Sequence, residues 1–313
     1  MGEESKKQTL ITVFTPTYQR ASTLHRVYSG LLNQDIDKED IEWVVVDDGS
    51  TDNTRHIIDG YTSEAYINIR YFYQENGGKH RAWNKGVREA RGELFAFIDS
   101  DDSCTPNALT LIRDTWYSIE YEDRNALSGL LSSCKYSNDK IIGESVLESG
   151  SIIDFPSLVL CGGATWDMWH IPRVDMLKRH LFPEGPKGRL VPESTLWYSM
   201  RKKWLVIDDP IKVVYSGDDG RDDQLSKVTS LESIAPGQVL NYTSMLSNVS
   251  DLFWCNPLAF VKAAAQVSRF SVLSQKRIRD SLEKVSDTSM RALCYIVAPV
   301  GYAVAVLDQL RKR

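Results

Sequence analysis

The 313-residue sequence has few cysteines, and none of them forms a recognisable metal or disulfide motif. Their number is odd, they lie far apart, and no two are separated by only two residues: Cys104, Cys134, Cys161, Cys255 and Cys294. This spacing argues against a disulfide framework and against a zinc ribbon, and it favours a reducing compartment. We therefore expect a cytoplasmic protein.

Long apolar runs are also missing. Residues 1–10 are polar, so no secretory signal is predicted. The most apolar stretch, residues 292–307, has sixteen uncharged residues and is interrupted by Pro299 and Gly301. A helix that crosses a bilayer needs about 20 residues. The sequence lacks internal repeats and low-complexity segments, and its charged fraction of 25% is that of an ordinary globular protein.

Positive charge is scarce except at the C-terminus. The net charge is −5, yet the segment from Phe260 onward holds ten Lys and Arg against four Asp and Glu. A nucleic-acid binder would need basic residues over more of the chain, so that class is disfavoured. The basic tail instead favours peripheral contact with the cytoplasmic face of an anionic membrane. The alternative is a helix that packs on its own domain or on a second subunit, so an oligomer is compatible with the sequence.

The first hundred residues alternate between strand and helix patterns. Short β-branched runs at 10–15, 43–46, 69–73 and 94–98 predict buried strands, and the segments between them have helical spacing of apolar residues. This alternation predicts an α/β fold with a mostly parallel central sheet, flanked by helices and followed by a helical C-terminal extension.

A polar cluster follows each predicted strand. Thr15-Pro16-Thr17-Tyr18 follows the first, Asp47-Asp48-Gly49-Ser50 the second, Asn76-Gly77-Gly78-Lys79 the third, and Asp99-Ser100-Asp101-Asp102 the fourth. Ligands bind at the carboxyl ends of parallel strands, so we expect all four clusters at one edge of the sheet. Each cluster alone also fits a turn or a helix N-terminus. Carboxylates this close together favour a hard divalent cation such as Mg²⁺ or Mn²⁺.

Together these segments resemble the family 2 glycosyltransferases of the GT-A fold. TVFTPTYQR resembles the family's first strand and nucleotide loop, VVVDDGSTD its second, GGKHRAWNKG its Lys-x-x-Ala-x-Asn-x-Gly segment, and FIDSDD its Asp-x-Asp motif. The resemblance covers roughly residues 11–217. It implies an inverting, Rossmann-like, metal-dependent enzyme that takes a sugar from a nucleotide donor, with UDP-sugars the expected class.

The resemblance also implies roles for individual residues. The metal ligands would be Asp101 and Asp99, and the cation would stabilise the diphosphate leaving group. The residues expected around the nucleotide are Thr15, Pro16, Tyr18, Asp47, Asp48, Lys79, Asp99 and Ser100.

The catalytic base is the point at which the sequence departs from the family. The family usually has a Glu-Asp pair before a helix in the second half, and here the matching residues are Glu193 and Ser194. Glu193 is the expected base, and its alternative role is to stabilise a helix N-terminus. Asp218 and Asp219 are weaker alternatives. Trp166, Trp169 and His170 are candidates for acceptor contact, although tryptophans at this spacing also fit a core.

These observations divide the chain into a catalytic domain at 1–225, a linker or irregular segment at 226–256 and a helical region at 257–313. Within the catalytic domain, residues of about 8–102 would bind the nucleotide-sugar and residues of about 103–225 the acceptor, a glycan or lipid-linked glycan. Two alternatives stay open. One is a non-catalytic nucleotide-sugar or glycan-binding protein, and the other is a sugar nucleotidyltransferase, which the lack of a Gly-rich N-terminal loop disfavours.

Overall fold

A computed structural model describes residues 10–143, 147–164, 167–184, 190–215 and 230–311. The first half alternates strands and helices: β1 Ile11–Thr17, α1 Leu24–Leu32, β2 Ile41–Asp47, α2 Thr54–Glu64, β3 Ile69–Tyr73, α3 Lys79–Glu89 and β4 Leu94–Phe97. The strands form a parallel sheet in the order β3-β2-β1-β4. β1, β2 and β4 are buried along their whole lengths, which agrees with their apolar sequences. The predicted α/β fold with parallel strands is confirmed.

A second sheet extends the first. Its elements are β5 Ser103–Cys104, α4 Ala108–Tyr117, α5 Tyr121–Arg124, β6 Leu127–Tyr136, β7 Ile152–Ile153, α6 Phe155–Leu160, β8 Met168–Pro172, α7 Val174–Arg179, α8 Ser194–Ser199 and β9 Lys203–Val214. The strand order is β5-β9-β6-β8 with β7 beside β9, and only β6 and β9 run parallel. A bridge between Leu94 and Arg173 joins the two sheets at β4 and β8.

The C-terminal third is helical: α9 Leu231–Asn248, a 3-10 helix Ser250–Cys255, α10 Pro257–Leu273, α11 Ile278–Leu282 and α12 Thr288–Leu310. The prediction of a linker at 226–256 is therefore wrong for residues 231–255. The segment contains four Ser, two Asn and Pro236, and these residues hide a helical pattern. Its buried residues include Ala235, Gly237, Val239 and Leu246, and they lie on more than one side of the helix.

Helix α9 connects the C-terminal helices to the sheets. It packs against α8 on one side and against α10 on the other. Its contact with the segment before α8 is close, because a Cβ at Gly237 would lie only 1.9 Å from the carbonyl oxygen of Leu190. The C-terminal helices are thus packed on the segment that leads into α8.

One disulfide joins α6 to the C-terminal helices. It links Cys161, next to α6, with Cys255, and both cysteines are exposed. The amide of Asn256 donates to the carbonyl of Leu160 at 3.0 Å beside it. The expectation of unbridged cysteines is therefore wrong for this pair, because packing of the 3-10 helix on α6 brings together two residues 94 apart in the chain. Cys104, Cys134 and Cys294 are free and buried.

Candidate active site

The four polar clusters meet at the carboxyl ends of the parallel strands. Asp48, which follows β2, accepts hydrogen bonds from the backbone amides of Gly77 at 2.9 Å and Gly78 at 2.8 Å. Gly49 has a φ of +91°, and any Cβ there would be 2.8 Å from the amide nitrogen of Asn76. The second and third clusters are therefore held together by backbone geometry that the Asp-Gly and Gly-Gly pairs allow.

Asp47 and Asp48 are almost fully buried, and hydrogen bonds within the protein occupy much of their capacity. Asp47 accepts from the hydroxyl of Tyr71 at 2.7 Å and from the amide of Ser50 at 2.8 Å. The amide of Gln74 donates to Asp48 in addition to the two glycine amides. A carboxylate accepts about four hydrogen bonds, so Asp48 keeps capacity for one more partner such as a base.

The first cluster differs from its expectation. Thr15 is fully buried and its hydroxyl accepts from the indole of Trp43 at 3.0 Å, while Pro16 is buried within β1. Of the three residues expected around the nucleobase, only Tyr18 is exposed, with 46% of its surface accessible. Thr15 and Pro16 therefore shape the sheet beneath the site, and their side chains do not line an open pocket.

Lys79 connects the two halves of the site. It begins α3, and its ammonium nitrogen lies 2.8 Å from Oδ1 of Asp99 and 3.1 Å from Oε1 of Glu193. Burial opposes the charge of Lys79, but the attraction of Asp99 and Glu193 outweighs it and raises the pKa of Lys79 above its ordinary value. Residues far apart in sequence thus meet around the ammonium group of Lys79.

A second lysine lies on the other side of Asp99. Lys212, in β9, has its ammonium nitrogen 3.7 Å from Oδ2 of Asp99 and 3.2 Å from Oδ2 of Asp102. Both lysines lie over the ring of Phe97, at 4.5 and 5.1 Å from its centroid. Sequence reasoning missed Lys212, although a lone lysine in the apolar strand segment IKVV is a detectable signal, because lysine is rarely buried without a partner.

The carboxylates after β4 are electrostatically crowded. Burial, followed by the negative charge of Asp99, raises the pKa of Asp101. Burial also raises the pKa of Asp102 to about 6, against the attraction of Lys212. For Asp99, the two lysines outweigh burial and lower the pKa. Asp102 is further held by the amide of Tyr215 at 3.2 Å, so it is less available than its neighbours.

A divalent cation fits Asp99 and Asp101. Their side chains are 31% and 27% exposed, they offer hard oxygen ligands, and their mutual repulsion would fall if a cation lay between them. Within the described ranges, no three His, Cys, Asp or Glu side chains converge as a metal site. Two carboxylates suffice where phosphate oxygens and water complete the coordination, as is common for Mg²⁺. Ser100, between them, is buried.

Glu193 precedes α8 and its side chain is about one-third exposed. The next two residues are anchored to α9: the hydroxyls of Ser194 and Thr195 both donate to Oδ1 of Asn241, at 2.8 and 3.4 Å. The hydroxyl of Ser244 donates to the carbonyl of Thr195 at 2.7 Å. Ser194, which occupies the place of the family's second acid, therefore fixes the start of α8 to the C-terminal helices.

A small cavity of about 50 Å³ opens beside Lys79 and Glu193. Its other lining residues are His80, Trp83, Phe182, Leu190, Val191 and Pro192. The ring nitrogens of His80 have no hydrogen-bond partner in the described part of the chain, and burial lowers the pKa of His80. The imidazole of His80 is therefore neutral at pH 7, and it lines the same cavity as Lys79 and Glu193.

The acceptor candidates do not lie at this surface. Trp169 is 2% exposed and its indole donates to the carbonyl of Phe97 at 2.5 Å. His170 is 8% exposed and stacks on Trp197 with ring centroids 4.4 Å apart. The prediction of acceptor contact is wrong for this pair, because the alternation of β8 turns both side chains into packed layers. Trp166, Asp218 and Asp219 lie outside the described residues.

Comparison with known protein sequences matches the part of the chain that carries the four polar clusters. Residues 12–122 match the family model for glycosyl transferase family 2. An uncharacterized glycosyltransferase of Nostoc is 33% identical over 159 residues, which is 50% of this chain and 47% of the relative. Validoxylamine A glucosyltransferase of Streptomyces hygroscopicus subsp. jinggangensis is 43% identical over 93 residues, 29% of this chain and 22% of that enzyme.

Solved structures extend the likeness to the rest of the chain. Residues 1–349 of TarS of S. aureus, in complex with UDP-GlcNAc, superpose with a TM-score of 0.63 at 18% identity, covering 97% of this chain and 92% of that chain. The mannosyltransferase PcManGT of Pyrobaculum calidifontis, in complex with GDP-Man and Mn²⁺, gives 0.51 at 16% identity and covers 96% and 88%.

The fold and the strand-end clusters define a protein of the GT-A class. More particularly, residues 12–122 are similar to glycosyl transferase family 2. It spans about half the length, or less, of the curated relatives it matches.

Proposed function

We propose that this chain transfers a sugar from a nucleotide donor to a hydroxyl group of a glycan or lipid-linked glycan, with inversion at the anomeric carbon. The observation that supports the proposal most strongly is the placement of Lys79 between Asp99 and Glu193. This placement brings Glu193, a carboxylate that can accept a proton, close to Asp99, which belongs to the cluster that can hold a diphosphate. Such proximity is what a single displacement at one sugar carbon requires.

The donor is proposed to be a UDP-sugar. TarS binds UDP and UDP-GlcNAc, and it is a poly(ribitol-phosphate) β-N-acetylglucosaminyltransferase, which favours a polymer acceptor in cell-surface synthesis. PcManGT binds GDP-Man and Mn²⁺, so GDP is the competing nucleotide. Tyr18 and the remaining acceptor capacity of Asp48 are the groups that a base would meet.

Asp99 and Asp101 would hold a divalent cation at the donor diphosphate, where it supplies positive charge to the leaving group. Lys79 and Lys212 add charge at the same edge. Because a diphosphate carries more negative charge than Glu193, it competes for the ammonium of Lys79. Donor binding therefore weakens the Lys79–Glu193 pair, and Glu193 becomes available to take the proton of the acceptor hydroxyl.

Nucleotide screening tests the donor and the metal together. We expect UDP to raise the melting temperature in the presence of Mn²⁺ or Mg²⁺, and we expect EDTA to remove most of the gain. Asp101→Asn should abolish the metal-dependent part of UDP binding in titration calorimetry, whereas Asp114→Asn, at an exposed position of α4, should not. An affinity for UDP that changes neither with metal nor with the substitution of Asp101 would contradict the metal assignment.

Turnover separates an enzyme from a binding protein of the same fold. We expect slow release of UDP from UDP-GlcNAc even without an acceptor, because water replaces the acceptor hydroxyl. Tight donor binding with no release of UDP from UDP- or GDP-sugars, with and without glycan acceptors, would favour the non-catalytic alternative.

We further propose that the reaction takes place at the cytoplasmic face of a membrane. The support is the excess of basic residues after Phe260, together with α12, which is long and apolar enough to reach into a bilayer. Length and composition alone do not distinguish a helix that spans from one that lies on the surface, so the packing of α12 decides between them.

A further inference from the structure

From Ala292 onward, helix α12 has an outward side made only of apolar residues. The residues on this side, all exposed, are Ala292, Ile296, Pro299, Val300, Ala303, Leu307 and Leu310. Their spacing of three and four places them in one stripe. At 1.5 Å per residue the stripe is about 27 Å long. We call it the outer stripe of α12.

The exposure of the outer stripe is large. Ile296 is 75% exposed, Val300 60%, Leu310 57% and Leu307 53%. A helix on the surface of a soluble domain usually presents polar residues on this side. A continuous apolar surface of this kind marks a binding surface.

The opposite side of α12 packs against α10. A Cβ at Gly301 would lie 2.1 Å from the carbonyl oxygen of Ala265, so the two backbones touch. Arg269 and Asp308 form an ion pair at 2.7 Å whose side chains are 20% and 11% exposed. If α12 crossed a bilayer by itself, it would break this pair and leave Asp308 near hydrocarbon, which is costly. The packing therefore favours a helix that lies along a surface.

Basic residues surround the outer stripe without entering it. Arg291 precedes it, Arg311 follows it, and the sequence continues with Lys312 and Arg313. Tyr295 and Tyr302 are exposed along one edge, and tyrosine suits the boundary between headgroups and hydrocarbon.

The positive excess of this region is not cancelled locally. Asp280, Glu283 and Asp308 pair with Arg277, Arg279 and Arg269, and Asp287 caps the start of α12. The excess is then carried by the remaining basic residues, which are Lys262, Lys276, Lys284, Arg291, Arg311, Lys312 and Arg313.

We propose that the outer stripe of α12 docks on an anionic lipid surface, with the helix parallel to the membrane plane. A neutral apolar partner would have no use for the flanking basic residues, and a second copy would bring the same positive charge against itself. An anionic lipid surface matches both the apolar stripe and the charge around it. The proposal does not depend on sugar transfer, so either can fail without the other.

Vesicle co-sedimentation of the full-length chain tests the proposal. We expect the protein to sediment with vesicles of phosphatidylcholine containing 30% phosphatidylserine at low salt. Binding should be at least tenfold weaker on pure phosphatidylcholine, and it should decrease as salt rises to several hundred millimolar. Protein that stays in the supernatant with anionic vesicles at low salt overturns the proposal.

Two variants separate the apolar and the electrostatic contributions. Ile296→Ser with Leu307→Ser should lower the vesicle partition coefficient at least tenfold and leave the melting temperature within a degree or two. Arg291→Gln with Arg311→Gln should weaken binding and flatten its salt dependence. The matched control is Tyr121→Ser, which removes an equally exposed apolar residue from α5, an element that packs on β6.

Light scattering tests whether a second copy of the chain, and not lipid, covers the outer stripe. We expect a mass in solution that is the same for the wild type and for the Ile296→Ser, Leu307→Ser variant. If the wild type is a dimer and this variant a monomer, a second copy covers the stripe and the lipid proposal is wrong. The lipid proposal is also wrong if the Ile296→Ser, Leu307→Ser variant binds vesicles as well as the wild type does.

Discussion

Glu193 lies at the start of α8, and its Oε1 is 3.1 Å from the ammonium nitrogen of Lys79, which also pairs with Asp99 at 2.8 Å. We expect Glu193→Gln to lower the rate of transfer about 10²-fold or more, because the amide cannot accept the hydroxyl proton. Donor affinity should not fall, because the diphosphate no longer competes with a charged Glu193 for Lys79. The measurement is single-turnover transfer together with calorimetry of UDP binding.

Glu122→Gln, on exposed α5, is the matched control for that change and should transfer at the wild-type rate. A wild-type rate for Glu193→Gln would mean that a different carboxylate is the base.

His170 provides a test of burial by pH. Burial lowers its pKa to about 3, so it is neutral in the folded protein, while in the unfolded chain it takes up a proton below about pH 6.5. Below pH 6.5 the unfolded state therefore binds more protons than the folded state. The contribution of neutral, buried His170 to the free energy of unfolding is complete above pH 6.5 and declines as the pH falls towards 3. The expected loss is about 1.4 kcal/mol per pH unit well below 6.5.

Denaturant unfolding between pH 4 and 7 measures this contribution. His170→Phe should lose less free energy of unfolding than the wild type over that range, whatever its stability at pH 7. His25→Gln, at an exposed position, should follow the wild type. Equal slopes for all three proteins would mean that His170 is accessible to protons in the folded state.

At the scale of elements, α9 is the part of the molecule that the sequence concealed. Pro236 and a run of small polar residues hide its helical pattern, and what makes it a helix is packing against α8 and α10. Its contact with the site follows from that packing, so no local pattern could indicate the role of Asn241. The strands β1 to β4 were predictable because each is a continuous β-branched or aromatic run bounded by turn residues.

The polar edge of the sheet was predictable for the same reason, since topology brings the ends of parallel strands together. The lysine contacts were not, because Lys212 reaches Asp99 and Asp102 only through the pairing of β9 with β5 and β6. Burial of Trp169 and His170 depends on the partners of β8 in the second sheet, which the sequence leaves undetermined.

Asn241→Leu tests whether α9 positions the base. The change removes the oxygen that accepts from Ser194 and Thr195 while it keeps a side chain of similar size. We expect kcat to fall about tenfold as Glu193 loses its fixed direction, with the affinity for UDP unchanged. Asn241→Asp keeps two acceptor oxygens and should restore most of the rate.

Asn248→Leu is the control on the same helix, because the amide of Asn248 bonds only within α9 among the described contacts. If Asn241→Leu weakens UDP binding as much as it lowers kcat, then α9 supports the fold in general and does not position the base.

At the scale of the whole molecule, the bond between Cys161 and Cys255 ties the C-terminal helices to α6. A disulfide typically stabilises a protein by about 2–4 kcal/mol, mainly because it closes a loop in the unfolded chain. We expect a reductant to lower the melting temperature of the oxidised protein by several degrees. Both cysteines are exposed, so the reagent reaches them without unfolding, and a reducing cytoplasm would keep them as thiols.

Cys161→Ser should melt at the temperature of the reduced wild type and should not respond to reductant. Cys134→Ser, at a buried free cysteine, should keep the response. A melting temperature that is the same with and without reductant would show that the packing of α9 and α10 alone holds the C-terminal helices in place.

The same bond changes the topology of the covalent chain. When it is formed, the backbone from Cys161 to Cys255 is a closed ring that contains Glu193, Lys212 and Asn241, while Asp48, Lys79 and Asp99 lie on the arm that enters it. A single peptide cut inside the ring leaves one connected molecule, whereas a cut in either arm releases a fragment. New chain ends placed between Glu193 and Asn241 would therefore leave the two halves of the candidate site covalently joined.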